Sequence, residues 1–159
     1  MPKKILVVED DLDMVELLRF NLKTEGYALG TAADGIEALK KARSLRPDLI
    51  LLDLMLPELD GFAVCDILRR DPKTASIPII MLTAMSSQLS RLNGLDAGAS
   101  AYITKPFSHK YLLRCIQELL QRVPEGAHHP DHEPNQKQKG YPDPAPATFS
   151  SETGESLAE

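Results

Sequence analysis

The chain has 159 residues, of which 43% are hydrophobic and 26% charged, values that suit one globular domain with a hydrophobic core. No apolar run approaches the roughly 20 residues of a membrane helix, and the first residues lack the features of a signal peptide, so we expect a cytoplasmic protein without a membrane segment. The formal net charge of −5 arises within residues 124–159, which leaves residues 1–123 neutral and without the basic excess of a nucleic-acid-binding domain.

Up to residue 123, short apolar runs alternate with segments of helical periodicity. In chain order the pattern predicts a strand at Lys4–Glu9, a helix at Asp13–Glu25, a strand at Tyr27–Ala32, a helix at Gly35–Leu45, a strand at Asp48–Asp53, a helix at Gly61–Arg70, a strand at Pro78–Leu82, a helix at Ser87–Ala97, a strand at Ala101–Thr104 and a helix at Ser108–Arg122. Five strand-then-helix units predict an α/β fold, a doubly wound parallel sheet with helices on both faces.

The first helices carry signals for their ends and for their buried faces. Asp13 and Glu16 have the spacing of a capping box, Asp11 is placed to complement the start of the first helix, and Gly26 is typical of a helix end. The residues predicted to face the core are Met14, Leu17, Leu18 and Leu22 in the first helix, Ile36, Leu39 and Ala42 in the second, and Val64, Ile67 and Leu68 in the third.

Residues 124–159 have a different composition from the rest. They hold six of the 12 prolines and only seven residues from the hydrophobic set, too few to offset the entropy of ordering the segment. We therefore predict a folded domain at 1–123 and a disordered, proline-rich acidic tail at 124–159. The histidines at 128, 129 and 132 could bind a transition metal, but we favour a solvated polar tail.

Polar side chains follow four of the five predicted strands, at the edge where a doubly wound parallel sheet binds its ligands. These residues are Glu9, Asp10 and Asp11 after the first strand, Asp53 at the end of the third, Thr83 and Ala84 after the fourth, and Lys105 and Pro106 after the fifth. A helix cap, a turn hydroxyl or an exposed lysine would explain any one of them. Because such residues occur at four strand ends at once, we favour a functional site at this edge of the sheet.

The convergence of Glu9, Asp10 and Asp53 implies a cation. Carboxylates about 4 Å apart repel by roughly 4 kcal/mol per pair at an effective dielectric constant of about 20. Mg²⁺ prefers oxygen ligands and commonly recruits phosphate oxygens to complete its shell. A phosphoryl group could then reach Asp53, which can act as the nucleophile, while Thr83 and Lys105 bind the phosphoryl oxygens.

Four stretches are similar to the receiver (CheY-like) domain of two-component response regulators: ILVVEDD at 5–11, LILLDLMLPELDG at 49–61, IIMLTA at 79–84 and YITKPF at 102–107. The resemblance covers residues 3–122 and implies a flavodoxin-like (βα)5 fold with strand order 2-1-3-4-5. It implies phosphoryl transfer to Asp53 from a histidine kinase or a histidine phosphotransfer protein. It further implies Mg²⁺ held by Asp10, Asp53 and the main-chain carbonyl of Met55, with Glu9 acting through water.

The resemblance also implies roles around the phosphoryl group. Thr83, Ala84 and Lys105 would bind it, the bond before Pro106 would be cis, and Thr83 and Tyr102 would form a switch. That switch would reshape the face made by helix 87–97, strand 101–104 and helix 108–122. In this family the residues at the positions of Met55 and Met85 influence the attacking water. Neither methionine can orient or polarise it, so we expect a long-lived phosphoryl group.

Within this family, the motifs LMLPELDG and YITKPFS are most similar to those of receivers attached to winged-helix transcription factors. The 36 residues after 123 are too few for a DNA-binding domain, so we expect no direct DNA binding by this chain and an unknown downstream protein as partner. Those relatives pair through charged residues, whereas this chain has Ser100, Ala101, Tyr111 and Cys115 at positions that are usually charged. At most a weak homodimer is expected.

Two other functions fit the pattern less well. A phospho-aspartate phosphatase of the haloacid dehalogenase type usually carries a second aspartate two residues after the nucleophile, where this chain has Met55, and no cap domain is evident. A flavodoxin-like cofactor binder needs a loop of main-chain donors after the first strand, where this chain has three acidic residues that would repel an unescorted phosphate.

Overall fold

The structure, a computed structural model, describes residues 1–122 of the chain. Its strands are β1 (Lys4–Val8), β2 (Ala28–Ala32), β3 (Leu49–Leu52), β4 (Ile79–Thr83) and β5 (Ala101–Thr104), and its helices are α1 (Leu12–Thr24), α2 (Gly35–Leu45), α3 (Gly61–Arg70), α4 (Gln88–Ala97) and α5 (His109–Arg122). Every predicted element is present, with ends that differ from the predicted ends by at most one residue. The predicted tail lies outside the described residues.

The five strands form one sheet in the order β2-β1-β3-β4-β5, and every neighbouring pair is parallel. The predicted doubly wound α/β fold and strand order 2-1-3-4-5 are therefore confirmed. Within the central pairing Val8 is opposite Leu52, and the N–H of Asp53 still donates to the carbonyl of Val8 at 3.0 Å. This register places Glu9 and Asp53, the residues that follow β1 and β3, side by side at the carboxyl edge of the sheet.

Side chains of the buried strands alternate between the two faces of the sheet, and each face carries its own core cluster. One cluster joins Leu6, Ile50 and Met81 to residues of α2 and α3, and the other joins Val7 and Leu51 to residues of α1 and α5. All four residues of β3 are buried. Helices on both faces explain why this strand is a continuous apolar run rather than an alternating one.

Aspartate and serine side chains accept main-chain N–H groups at the start of the helices. The acceptors are Asp11 for α1, Asp34 for α2, Asp60 for α3, Ser87 for α4 and Ser108 for α5. The capping box predicted at Asp13 and Glu16 is wrong, because α1 begins one residue earlier and Asp13 donates its own N–H to the Asp11 carboxylate at 3.0 Å. Gly26, with φ of +94°, follows the end of α1 as predicted.

Of the ten positions predicted to face the core, five are buried, and Met14, Leu39 and Ile67 are half-buried. Leu18, Leu22, Ala42, Val64 and Leu68 are buried. Leu17 and Ile36 are each 45% exposed, so their predicted burial is wrong. Val15 and Ala38 are buried instead. Each helix is rotated about its axis relative to the prediction, so that these residues face the sheet and Leu17 and Ile36 lie at the exposed side. No helix within residues 1–122 has the length and apolar character needed to cross a bilayer.

Adjacent leucines of α1 provide a matched test of this packing. Leu18 is 1% exposed, so Leu18→Ala should leave a cavity and lower the free energy of unfolding by about 3 kcal/mol. Leu17→Ala makes the same chemical change on the exposed side and should cost less than about 0.5 kcal/mol. Urea denaturation followed by circular dichroism measures both, and equal losses would contradict the assigned rotation of α1.

Candidate functional site

Three carboxylates meet at the carboxyl edge of the sheet. Oxygen atoms of Glu9, Asp10 and Asp53 all lie within 4.8 Å of one another. Glu9 is only 4% exposed and Asp53 6% exposed, whereas Asp10 is open to solvent. Asp11 is not part of this cluster, because its side chain caps α1 while its N–H donates to Oε2 of Glu9 at 3.1 Å. The edge thus holds two buried carboxylates and one exposed carboxylate.

Lys105 brings a positive charge to the same edge. Its Nζ donates to Oε1 of Glu9 at 2.8 Å and to Oδ2 of Asp53 at 3.2 Å. Its main-chain N–H donates to the carbonyl of Thr83 at 2.8 Å, which anchors the loop after β5 beside the end of β4. The bond between Lys105 and Pro106 is cis. The ammonium group therefore lies between two carboxylates that come from different strands.

Burial and charge act in opposite directions on these groups. Burial raises the pKa of Glu9, and the hydrogen bonds from Lys105 and from the N–H of Asp11 only partly reverse the effect. Burial alone would lower the pKa of Lys105. The hydrogen bond to Glu9 and the charges of Asp53 and Glu9 outweigh burial, so the pKa of Lys105 lies above its ordinary value. Lys105 consequently stays protonated at neutral pH.

The loop after β3 folds tightly around Asp53. Oδ1 of Asp53 accepts the N–H of Met55 at 3.1 Å, and Gly61 donates its N–H to the carbonyl of Leu54 at 3.0 Å. A Cβ at Gly61 would lie 2.5 Å from the carbonyl oxygen of Asp53, so only glycine allows α3 to start this close. The side chain of Met55 is 60% exposed. The loop thus presents the Met55 main chain to Asp53 while its side chain faces solvent.

Thr83 and Tyr102 bind the same peptide segment after β4. Thr83 is fully buried, and its Oγ1 accepts the N–H of Met85 at 3.3 Å. Tyr102 is also buried, and its hydroxyl donates to the carbonyl of Met85 at 2.6 Å. Ala84 lies between Thr83 and Met85 and is exposed. The main chain of Met85 therefore connects the end of β4 to the ring on β5.

Two contacts of Tyr102 were not found from the sequence. The guanidinium of Arg91 lies 5.1 Å from the centroid of the Tyr102 ring, and its Nη1 donates to the carbonyl of Tyr102 at 3.1 Å. Gly94 of α4 faces the same ring. Burial raises the pKa of Tyr102 to about 12, with the charge of Arg91 opposing the shift and that of Asp53 adding to it. The sequence gives little sign of these contacts beyond a glycine inside the predicted helix, since they depend on how α4 packs on β5.

The donor set at the edge fits a hard divalent cation. Glu9, Asp10 and Asp53 offer only carboxylate oxygens, with no nitrogen or sulfur ligand among them. Mg²⁺ is typically held by few carboxylates and retains several waters, which suits a cluster with one open side at Asp10. The described residues could therefore hold Mg²⁺ and leave coordination positions for a phosphoryl group.

Comparisons with known sequences give consistent results. The family model for the response regulator receiver domain matches residues 5–117. The chain is 46% identical over 132 residues to the DNA-binding dual master transcriptional regulator RpaA of Synechocystis, covering 81% of this chain and 54% of that protein. It is 48% identical over 122 residues to the alkaline phosphatase synthesis transcriptional regulatory protein PhoP of Bacillus subtilis, covering 77% and 50%. The chain spans about half the length of these curated relatives.

Solved structures agree with the sequence comparisons. The receiver domain of a sensor histidine kinase from Pseudomonas aeruginosa, with a magnesium ion coordinated in its active-site cleft, has a TM-score of 0.71 and 36% identity, covering 76% of this chain and 99% of that chain. The chemotaxis response regulator CheY4 of Vibrio cholerae has a TM-score of 0.71 and 34% identity, covering 75% and 99%.

Mg²⁺ should stabilise the folded protein through the carboxylate cluster. At a concentration ten times the dissociation constant we expect the free energy of unfolding to rise by about 1.4 kcal/mol, since only the folded chain assembles the site. Asp10→Asn should remove most of this gain. Asp11→Asn is the matched control, because asparagine caps a helix as well as aspartate does. Urea denaturation with Mg²⁺ and with a chelator measures the gain, and equal gains in both variants would exclude Asp10 from the site.

Proposed function

The chain belongs to the response regulator receiver domain family, and on that premise we propose that it is the phosphoacceptor of a two-component or phosphorelay system, with Asp53 as the residue that is phosphorylated. The observation that carries this proposal is the convergence of Glu9, Asp10, Asp53 and Lys105 at the carboxyl edge of the sheet. The phosphodonor is a histidine kinase or a histidine phosphotransfer protein.

Asp53 acts as the nucleophile in the proposed reaction. One of its carboxylate oxygens forms a bond to phosphorus while the phosphorus–nitrogen bond of the donor's phosphohistidine breaks, and the histidine nitrogen leaves with the electron pair. The product is an acyl phosphate on Asp53. In the structure Oδ1 of Asp53 is bound by the N–H of Met55 and Oδ2 by Lys105. Lys105 can therefore pass from Oδ2 to the phosphoryl oxygens with little movement, and the hydroxyl of Thr83 and the main chain at Ala84 would bind them as well.

Glu9, Asp10, Asp53 and the main-chain carbonyl of Met55 are the groups we propose to hold Mg²⁺. When bound, the ion supplies positive charge that offsets the carboxylates and accepts phosphoryl oxygens as ligands. Glu9 is buried and already engaged by Lys105 and by the N–H of Asp11, which fits a role through water rather than direct contact. Asp10 is the exposed member and is accessible to an entering ion.

The switch that we propose runs from Thr83 to Tyr102. The hydroxyl of Thr83 is drawn from the N–H of Met85 to the phosphoryl group, and phosphorylation further stabilises the inward position of the Tyr102 ring, which is already buried in the structure. The charge of a phosphoryl group, roughly −1.5 to −2, is thereby converted into a change of packing at α4, β5 and α5. A downstream protein would recognise this face.

We propose a protein partner rather than DNA for residues 1–122. The relatives named above are DNA-binding or transcriptional regulators, but this chain spans about half their length. On the α4–β5–α5 face the charges of Arg91, Asp96 and Arg122 are interrupted by Ala101 and Tyr111, which favours at most a weak homodimer. The phosphatase alternative gains no support, since Met55 stands where such enzymes carry their second aspartate.

Asp53→Asn should abolish phosphorylation, because an amide oxygen does not displace the leaving group from phosphorus. We expect the wild-type protein to gain one phosphoryl group from acetyl phosphate with Mg²⁺, and the variant to gain none. Asp60→Asn is the matched control, since Asp60 caps α3 and asparagine preserves the cap. Intact-mass spectrometry measures the modification. A phosphorylated Asp53→Asn protein would show that another residue accepts the group.

Met55 and Met85 should prolong the life of the acyl phosphate, since neither thioether can orient a water for in-line attack. The double variant Met55→Asn and Met85→Glu should release phosphate at least about tenfold faster, equivalent to ~1.4 kcal/mol in the barrier. The control Met55→Leu and Met85→Leu keeps apolar side chains of similar size and should change the rate by less than about twofold, ~0.4 kcal/mol. Phosphate release from the isolated phosphoprotein with Mg²⁺ gives both rates, and an unchanged rate in the polar variant refutes the hypothesis.

A further inference from the structure

Helix α4 is attached to the sheet in an unusual way. Among its described residues, Gln88–Ala97, Gly94 alone is buried. The leucines of this helix at positions 89, 92 and 95 are exposed. By contrast, α1 and α3 each bury several apolar side chains against the sheet. The most deeply buried contact of α4 with the sheet is therefore made at a residue without a side chain, while Ala97 is only partly buried against the same core.

The contact at Gly94 leaves no room for a side chain. A Cβ there would lie 2.7 Å from Sδ of Met81 and 2.9 and 3.0 Å from Cδ1 and Cε1 of the Tyr102 ring. Glycine inside a helix is less favourable than alanine, so this position carries a cost in helix stability that close packing offsets. The thioether of Met81 and the ring of Tyr102 thus together fill the space in which a residue 94 side chain would stand.

The same ring is connected to the site. The hydroxyl of Tyr102 and Oγ1 of Thr83 bind the two sides of the Met85 main chain, through its carbonyl and its N–H. Thr83 is the last residue of β4, beside the loop of Lys105. A movement of the Thr83 hydroxyl releases one of the two bonds that fix Met85. The Tyr102 ring therefore contacts both the segment that leads from the proposed phosphorylation site and helix α4.

Two arginines hold α4 on either side of this contact. Arg91 lies over the Tyr102 ring and bonds its carbonyl, one turn before Gly94. At the other end Nε of Arg69 donates to the carbonyl of Gly98, the C-cap of α4, at 2.9 Å, and its Nη1 binds the carbonyls of Ala75 and Ile77. The carboxyl end of α4 is thus tied to α3, while its middle rests on the ring.

We propose that Gly94 is a positioning residue that couples the ring of Tyr102 to helix α4: the space left by its missing side chain lets the ring lie inward while the helix stays on the sheet, so that displacing either one displaces the other. This inference rests on the proposed function, because it explains how a phosphoryl group on Asp53 reaches α4. It predicts that a methyl group at position 94 separates the two, since either the ring turns outward or α4 lifts, and both outcomes expose Tyr102.

The test uses protein labelled with 3-fluorotyrosine and ¹⁹F NMR, with Tyr102→Phe to assign the resonance. In unphosphorylated wild-type protein the Tyr102 signal should change little between H₂O and D₂O. Gly94→Ala should increase this solvent effect severalfold. Asn93→Ala places an alanine at the adjacent exposed position without adding atoms to the contact with the ring, and it should leave the signal unchanged. An unchanged Tyr102 signal in folded Gly94→Ala overturns the proposal.

A second measurement tests the connection to the site. Beryllofluoride with Mg²⁺ imitates a phosphoryl group, and its affinity for Gly94→Ala should fall by about fivefold or more, because coupling between two sites is reciprocal. If Tyr102 is exposed in Gly94→Ala but the variant binds beryllofluoride as tightly as the wild-type protein does, the proposed coupling is wrong. If the wild-type protein binds no beryllofluoride and accepts no phosphoryl group, the proposed function fails, whereas the comparison of Tyr102 signals without ligand still decides the role of Gly94.

A double variant keeps the proposal testable if Gly94→Ala does not fold. Tyr102→Leu removes the ring that the new methyl group would meet. If Gly94 acts through Tyr102, adding Gly94→Ala to Tyr102→Leu should lower stability far less than adding it to the wild-type protein. Equal losses in the two backgrounds, measured by urea denaturation, would show that the glycine serves α4 independently of the ring.

Discussion

The repulsion among the carboxylates of Glu9, Asp10 and Asp53 is the constraint on which the rest of the structure depends. Each pair at about 4 Å opposes folding by roughly 4 kcal/mol at an effective dielectric constant near 20, and burial adds to the cost. The pairing of β1 with β3 nevertheless fixes Glu9 beside Asp53, because the hydrogen bonds and the apolar core of these strands leave no other register. The ion pairs of Lys105 with Glu9 and Asp53 offset part of this repulsion. The remaining repulsion favours a cation at this edge and, under the proposed function, the approach of a phosphoryl group.

Much of the fold could be predicted because strands and helices leave different and independent signals in this sequence. The apolar run at Leu49–Leu52 and the helical period of α5 each indicate one kind of element, and five repeats of the pair imply a parallel sheet. The errors occurred where two signals competed within one helical turn. Asp11 and Asp13 can both cap a helix, and only the backbone angles at Asp11 decide between them. The burial of Leu17 could not be judged either, since a rotation of α1 by a fraction of a turn exchanges it for Val15.

The site could be anticipated to the extent that main-chain topology determines it. Residues that follow parallel strands share one edge whatever their side chains do, so the positions of Asp53, Thr83 and Lys105 follow from strand order alone. The contacts of Arg91 and Gly94 with Tyr102 have no such origin. They depend on the distance and rotation of α4 over β5, which arise from packing and have no fixed spacing in the sequence. A glycine inside a predicted helix was the one available signal, because its cost to the helix calls for a compensating contact.

Under the proposed function, the weak attachment of α4 has an energetic reason. To move an equilibrium from 1:99 to 99:1, a modification must favour one state by about 5.5 kcal/mol. Hydrogen bonds to a charged phosphoryl group contribute roughly 1.5–3 kcal/mol each, so a few of them reach that scale. The contacts that hold α4 are of the same order, since the hydrogen bonds of the Arg91 and Arg69 guanidinium groups add about 1.5–3 kcal/mol each and a partly exposed cation–π contact ~0.5–1 kcal/mol. Each leucine buried in their place would add about 1.5–3 kcal/mol and, taken together, would put the helix beyond the reach of a single phosphoryl group. A glycine at the contact, with the leucines left at the surface, keeps α4 within that range.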